Sequence, residues 1–321
     1  MNSIIIYVSS RNNYDMLSGE VLKNINMEGF EFINIDDKSS SEELQKGERI
    51  CQENNIVFLE NESRGVQHAT NTLVKFIKKN RPNCKWVICF QHDCYPITKN
   101  FFSRISKLID DGKLDNFGTV GFNRIDMGKH TPGAYQDWLD NKEPLGNLGL
   151  AHLSILDETK RWIQPNRNSW LVNNKDWWKP LSIEISAWTA IGINVDLWEK
   201  WIEPTDEYHF HLWAPDVSMQ FLYHNFHNLV LPKLYLMNKQ ELKENYGIEA
   251  NSAHGSQKGN EYHFGHYQPS HEVWKERWGW DYEIPNTILD VRQSYEGTLI
   301  DEFINHDTYS GPLKTFDLGE Y

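Results

Sequence analysis

Positive charge is what this sequence most lacks: 32 Lys and Arg stand against 45 Asp and Glu, a net charge of -13. That argues against a nucleic-acid binder, whose affinity rests on neutralising phosphates. It leaves room for one nucleotide diphosphate, because a bound metal can supply local positive charge. Long apolar runs are absent too, and none approaches the ~20 residues of a membrane helix, so no transmembrane segment is expected. Cysteine is scarce. Cys51, Cys84, Cys89 and Cys94 form no C-x-x-C pair, so reduced structural thiols are expected rather than zinc or disulfides. The start, MNSIIIYVSSRNN, has no basic region and no small-residue cleavage site. It reads as a first strand, and the cytoplasm is the expected location. The familiar phosphate loops are missing as well. Ser9-Ser10-Arg11-Asn12 follows the first strand where G-x-G-x-x-G would stand, and G-x-x-x-x-G-K-[ST] occurs nowhere. Dinucleotide enzymes, P-loop NTPases and most Rossmann methyltransferases are disfavoured.

What is present suits an ordinary folded core: 321 residues, 39% hydrophobic and 24% charged. The thirteen tryptophans are mostly assigned to that core, with a few left to face a ligand. Along the first ~120 residues, strand-like and helix-like stretches alternate. Strands are expected at 4–8, 30–35, 56–59, 86–90 and 118–122. Helices are expected at about 14–25, at 41–53, from 66 to a point before Pro82, and at 101–109. Repeated β-α units with near-continuous apolar strands predict an α/β fold with a mainly parallel sheet covered on both faces. From 123 to 185 periodicity is poor, as in a long ligand-facing excursion. Order returns with strand-like 183–193, helices near 195–201 and 215–226, and a strand at 229–236. The expected organisation is one domain over 1–285, split near 122 into a nucleotide-sugar-binding and an acceptor-binding half, with a tail over 286–321.

Three short stretches carry the candidate chemistry. Asp36-Asp37-Lys38-Ser39 follows the second strand, and by itself it reads equally as a solvated turn. Gln91-His92-Asp93 ends the apolar run VICF, where a buried carboxylate is costly unless a partner, a metal or water meets it. Ligands of parallel sheets bind beyond the carboxyl ends of the strands, so a site at Asp93 is expected. Asp216, in Ala214-Pro215-Asp216, stands at the start of a helix, where the dipole alone favours an acid. The histidine pairs His209/His211 and His224/His227 have spacings that suit a transition metal, although chance pairs are expected among thirteen histidines.

Taken in order, these stretches resemble the inverting glycosyltransferase family 2 and its relatives of GT-A fold, a Rossmann-like arrangement. Asn34-Ile-Asp-Asp-Lys-Ser resembles the family's D-D-x-S, and Arg64-Gly65 with Ala69 and Asn71 its G-x-x-x-A-x-N. Gln91-His92-Asp93 occupies the place of D-x-D, with Gln91 where the motif has its first acid. Trp188-Thr-Ala-Ile-Gly192 resembles the acceptor-side strand. Asp216 resembles the base of E-D, with Pro215 in place of the preceding acid. His254 and Trp274-Lys-Glu-Arg-Trp-Gly279 resemble the family's late histidine and closing element. The likeness spans roughly residues 3–280. It implies a metal-assisted, inverting transfer from a nucleotide-sugar donor to a carbohydrate or other hydroxyl acceptor. Asp216 would be the general base, Asp93 and His254 the ligands of Mn²⁺ or Mg²⁺, and Trp188 and Thr189 the acceptor contacts. Ser9, Arg11, Asp36, Asp37, Arg64, Gln91 and His92 would contact the nucleotide. A retaining GT-A transferase, a nucleotidyltransferase, or a non-catalytic carbohydrate-binding protein on the same scaffold are the alternatives. The altered positions Gln91 and Pro215 favour the last.

Overall fold

The structure is a computed structural model. It describes residues 3–127, 148–149, 155–156, 162–163, 179–183, 190–208, 212–239, 270–279, 297–299 and 315–321. The first half alternates as its periodicity predicts. It runs β1 (Ile4–Ser10), a first helix α1, β2 (Glu31–Asp36), α2 (Ser41–Glu53), β3 (Val57–Glu60), α3 (Val66–Asn80), β4 (Trp86–Phe90), β5 (Cys94–Pro96) and α4 (Phe101–Asp110). Helix α1 is irregular, with a π-helical stretch Leu17–Val21 between α-helical Tyr14–Met16 and Leu22–Asn24. Then come β6 (Phe117–Met127), short β7 (Leu148–Gly149), the separate pair β8 (Ile155–Leu156) and β9 (Trp162–Ile163), β10 (Leu181–Ile183), β11 (Ala190–Asn194), α5 (Val195–Trp201), α6 (Trp213–Tyr223) and β12 (His227–Lys239). A last helix, α7, covers 270–278.

Local chemistry sets the helix starts. The Ser40 hydroxyl accepts from Glu43 N at the head of α2, and the Asn194 side chain accepts from Asp196 N and Leu197 N at the head of α5. Gly65, at the head of α3, has φ +104° and ψ 158°, a conformation open in practice only to glycine.

The main sheet runs β10-β12-β6-β11-β4-β1-β2-β3. β3, β2, β1 and β4 are mutually parallel, as expected. β11 enters antiparallel between β4 and β6, and β12 returns parallel to β6. The β12 register shifts between Leu231 and Tyr235, across Pro232, which has no N–H to give the ladder.

A period of two divides the buried side chains into two layers. Ile5, Tyr7, Ile33, Ile35, Val87 and Cys89 pack with α3, α5, α6 and α7. Ile4, Ile6, Val8, Phe32, Trp86, Ile88 and Phe90 pack with α1, α2 and α4. Trp86, Trp198, Trp213, Trp274 and Trp278 are all buried here, which assigns these five to the core. All four cysteines are free and buried. No helix among the described residues is long and apolar enough to cross a membrane.

Candidate functional site

Register places the carboxyl ends of four strands together. Ser10 pairs with Asp36, Asp36 with Glu60, and Val8 with Phe90. The turns that follow β1, β2 and β4 therefore share one edge. α6 leads to this edge as well: its last turn precedes His227, which pairs with Phe117 at the opposite edge, so its first turn with Asp216 faces the strand ends. The alternation that divides the core also divides the candidate residues.

On the α3 side stand Ser9, Asp37 and Gln91. Asp37 is buried, and its Oδ1 accepts from Gly65 N at 2.7 Å and Asn61 Nδ2 at 2.8 Å. Burial pushes its carboxyl above the ordinary range, while those two hydrogen bonds and the charges of Arg11 and Arg64 pull it back. Burial and the neighbouring Arg11 lower Arg64 in turn. The charges of Arg11 and Arg64 thus both reach the Asp37 carboxylate, and guanidiniums are groups suited to phosphate. Ser9 and Gln91 are half-buried, and the Gln91 side-chain nitrogen has no hydrogen-bond partner among the described residues.

On the other side stand Asp36 and His92, and here the structure gives each side chain partners within the fold. Asp36 Oδ1 accepts from the Tyr14 hydroxyl at 2.7 Å and its Oδ2 from Ser39 N at 3.0 Å. His92 is buried, with Nε2 2.9 Å from Ser10 Oγ and Nδ1 3.2 Å from Asn13 Nδ2. Both ring nitrogens are thus engaged within the fold, and burial drives the imidazole pKa down to about 3. Both side chains, expected from the sequence to contact the nucleotide, make hydrogen bonds inside the fold. The strand period turns them away from the α3 face.

Asp93 follows His92 in a tight turn closed by Cys94 N donating to Gln91 O at 3.1 Å. β5 then pairs with β12, fastening the turn on its far side. Asp93 is buried at the strand ends, where expected. No group of three metal-binding side chains occurs among the described residues. One carboxylate nonetheless fits Mg²⁺ or Mn²⁺, hard ions that take one or two protein carboxylates and fill the rest of their shell with phosphate oxygens and water. His254, Trp188 and Thr189 lie outside the described residues.

Asp216 has no exposed surface. Its Oδ2 accepts from Gln67 Nε2 at 2.9 Å, Gln220 Nε2 at 2.8 Å and Arg277 Nη1 at 3.2 Å. Its Oδ1 accepts from Trp278 Nε1 at 2.9 Å. Burial raises its pKa, against Arg277 and these hydrogen bonds. In this geometry the carboxylate ties α3, α6 and α7 together. Tyr208, whose pKa burial raises further from its ordinary value with the nearby Asp216 charge adding to the effect, lies in the same region.

The pair His224/His227 is corrected. His224 follows the last turn of α6 and stacks on Trp201 at 4.5 Å, whereas His227 opens β12 against Phe117 and Phe316. His209 and His211 lie outside the described residues. Sequence reasoning passed over Ser10, Asn13, Tyr14, Gln67, Gln220 and Arg277. The one available signal was Asn34, an amide inside the apolar strand EFINID.

No protein-family model matches the sequence, and neither does any curated protein. Solved structures do match. The chain is similar to GalNAc-T7, solved with UDP, GalNAc and Mn²⁺, at 14% identity and a TM-score of 0.53, over 98% of this chain and 58% of that one. It therefore spans little more than half of that protein's length. It is also similar to the mannosyltransferase PcManGT from Pyrobaculum calidifontis, solved with GDP-Man and Mn²⁺, at 13% identity and a TM-score of 0.43, over 74% of this chain and 56% of that one. A third match is S. aureus TarS, at 14% identity and a TM-score of 0.44, over 92% of this chain and 81% of that one. With the strand order and the shared carboxyl edge, the first of these likenesses identifies the architecture: the chain has the GT-A fold.

Proposed function

We propose that the protein is a glycosyltransferase, moving a sugar from a nucleotide-diphosphate sugar to a hydroxyl acceptor such as a glycan. The observation that carries this reading is the grouping at one edge of a GT-A sheet: Asp37, on which the charges of Arg11 and Arg64 act, with Asp93 in the turn after β4. Asp37 is suited to accept from a donor base, and the two arginines to pair with phosphate. Asp93, with His254 as a candidate partner, would hold Mn²⁺ or Mg²⁺, which supplies charge neutralisation as the diphosphate departs. Trp188 and Thr189 remain the proposed acceptor contacts.

For an inverting transfer the proposed base is Asp216. Its burial-raised pKa favours proton uptake. The role requires α7 to withdraw Trp278 and Arg277, because an acceptor hydroxyl cannot otherwise reach the carboxylate. That same enclosure favours a second reading, the retaining transferase, which makes no demand on a carboxylate at this position.

The test is a thermal-shift panel of UDP, GDP, ADP and CDP, each with and without Mn²⁺. A shift by at least one diphosphate, enlarged by Mn²⁺ and lost in Asp93→Ala, is the expected result. No shift by any of the four would overturn the proposal. Product-anomer NMR separates inverting from retaining transfer.

A further inference from the structure

Between the two turns that make up the candidate donor site runs a buried chain of hydrogen bonds, and proton counting fixes its direction. The Tyr14 hydroxyl gives its proton to Asp36 Oδ1, so it accepts from Asn34 Nδ2 at 3.4 Å. Asn34 Oδ1 then accepts from Ser10 Oγ at 2.5 Å. With its only proton used, Ser10 Oγ must accept from His92 Nε2, 2.9 Å away. His92 is thereby fixed as the Nε2–H tautomer, and its Nδ1 accepts from Asn13 Nδ2. Asn13 Oδ1 accepts from Arg11 N at 3.0 Å, which ties in the loop that presents Arg11. At the far end Asp36 Oδ2 accepts from Ser39 N, Ser39 Oγ from Asn12 N, and Asn12 Oδ1 from Ser40 N. Ser10, Asn13, Asn34, Asp36 and His92 are all buried, so the bonds among them are shielded from competing water.

We propose that His92 is a positioning residue that, through Ser10, locks the Gln91–Asp93 turn to the Asp36–Ser39 turn at a fixed spacing. The donor it serves is long, with a base at one end and a metal-bound diphosphate at the other. A site that reads both ends gains from holding them in register before binding, since looseness between them is lost as affinity. Both ring nitrogens of His92 are bonded within the fold. The Asp93 backbone follows it directly, so the orientation of its ring sets where that carboxylate stands. The inference rests on the donor-site reading above, and its test separates the two.

The first measurement needs no ligand. Amide hydrogen exchange of the full chain is compared among wild type, Ser10→Ala, His92→Phe and His92→Gln. Ser10 lies in neither turn, yet Ser10→Ala should speed exchange in both 36–40 and 91–94. His92→Phe should do the same, while His92→Gln, which keeps one donor and one acceptor on a flat side chain, recovers most of the protection. Faster exchange confined to the neighbourhood of each substitution would overturn the clamp. The second measurement is the affinity for Mn²⁺ pyrophosphate, followed by the electron paramagnetic resonance signal of free Mn²⁺. Losing an outer-shell partner of a metal ligand typically costs ~10–100-fold in metal affinity. Ser10→Ala and His92→Phe should fall in that range, with His92→Gln close to wild type. Coupled exchange with unchanged Mn²⁺ pyrophosphate affinity would make the chain purely structural and overturn the positioning role. Wild type that binds no Mn²⁺ pyrophosphate would sink the donor-site reading, and the exchange result would still decide the clamp.

Discussion

Replacing Asp216 with alanine removes the acceptor of four donors at once, and the structure shows how unevenly the loss falls. Gln67 Nε2 keeps a second acceptor in Trp213 O at 3.2 Å, and Gln220 Nε2 keeps Glu203 O at 3.4 Å. The Arg277 side chain is 24% exposed and can turn toward water. The Trp278 indole N–H donates to Asp216 Oδ1 at 2.9 Å from a buried residue, where water cannot readily replace the lost acceptor. A buried donor left unmet costs ~1–3 kcal/mol, and removing one side of a buried ion pair ~3–5 kcal/mol. Relief of carboxylate desolvation at neutral pH offsets part of this. A net loss of ~2–4 kcal/mol is expected, a large share of the ~5–15 kcal/mol typical of a whole domain. Asp216→Asn is no silent substitute, since its amide points N–H groups either at Trp278 or at the three donors on the other oxygen. Urea unfolding at pH 7 measures the loss, read as a lower midpoint with an unchanged slope. Arg277→Met should cost less than Asp216→Ala. Asp216→Ala within ~0.5 kcal/mol of wild type, with turnover sharply reduced, would refute the tie and leave a base alone.

Other outcomes follow from the same geometry. Asp93→Ala should abolish the Mn²⁺-dependent part of nucleoside-diphosphate binding while leaving the unfolding midpoint near wild type; calorimetric titration with and without Mn²⁺ checks it. His92 gives a pH dependence. Its folded pKa of about 3 lies below the ordinary 6.5, so its stability contribution is present above 6.5 and is lost as pH falls toward 3. The loss amounts to roughly 2–3 kcal/mol by pH 4.5. His92→Gln should flatten that part of the stability–pH curve, and an unchanged curve would count against the burial argument. A methyl at Gly47 would fall inside the Tyr14 ring, which bonds Asp36. Gly47→Ala should therefore destabilise by ~1–3 kcal/mol despite alanine's better helix propensity, as thermal unfolding will show.

The first half of the fold was legible because it is locally encoded. In α3, Val66, Ala69, Leu73 and Ile77 recur at helical spacing, and in β4 every residue from Trp86 to Phe90 is buried. Such patterns follow from backbone geometry over a few neighbours, and they place Asp37 and Asp93 at strand ends without any tertiary knowledge. Where β11 enters the sheet was not legible: whether a strand pairs parallel or antiparallel depends on a chain path that Ala190–Asn194 does not record.

The sequence by itself determined the element types, the class of sheet and the edge at which a ligand should lie. Only the tertiary structure decided the occupation of each acid. Adjacent Asp36 and Asp37 look alike in the sequence, yet one accepts from Tyr14 and the other from Gly65 N, with the charges of Arg11 and Arg64 acting on it. Asp216 looked like a helix-start carboxylate, but Gln67, 149 positions away, and Trp278, 62 positions away, enclose it. His92 meets Ser10 across 82 positions. Periodicity is a property of neighbours along the chain, whereas partnership is a property of neighbours in space, and a carboxylate's chemistry is set by the second.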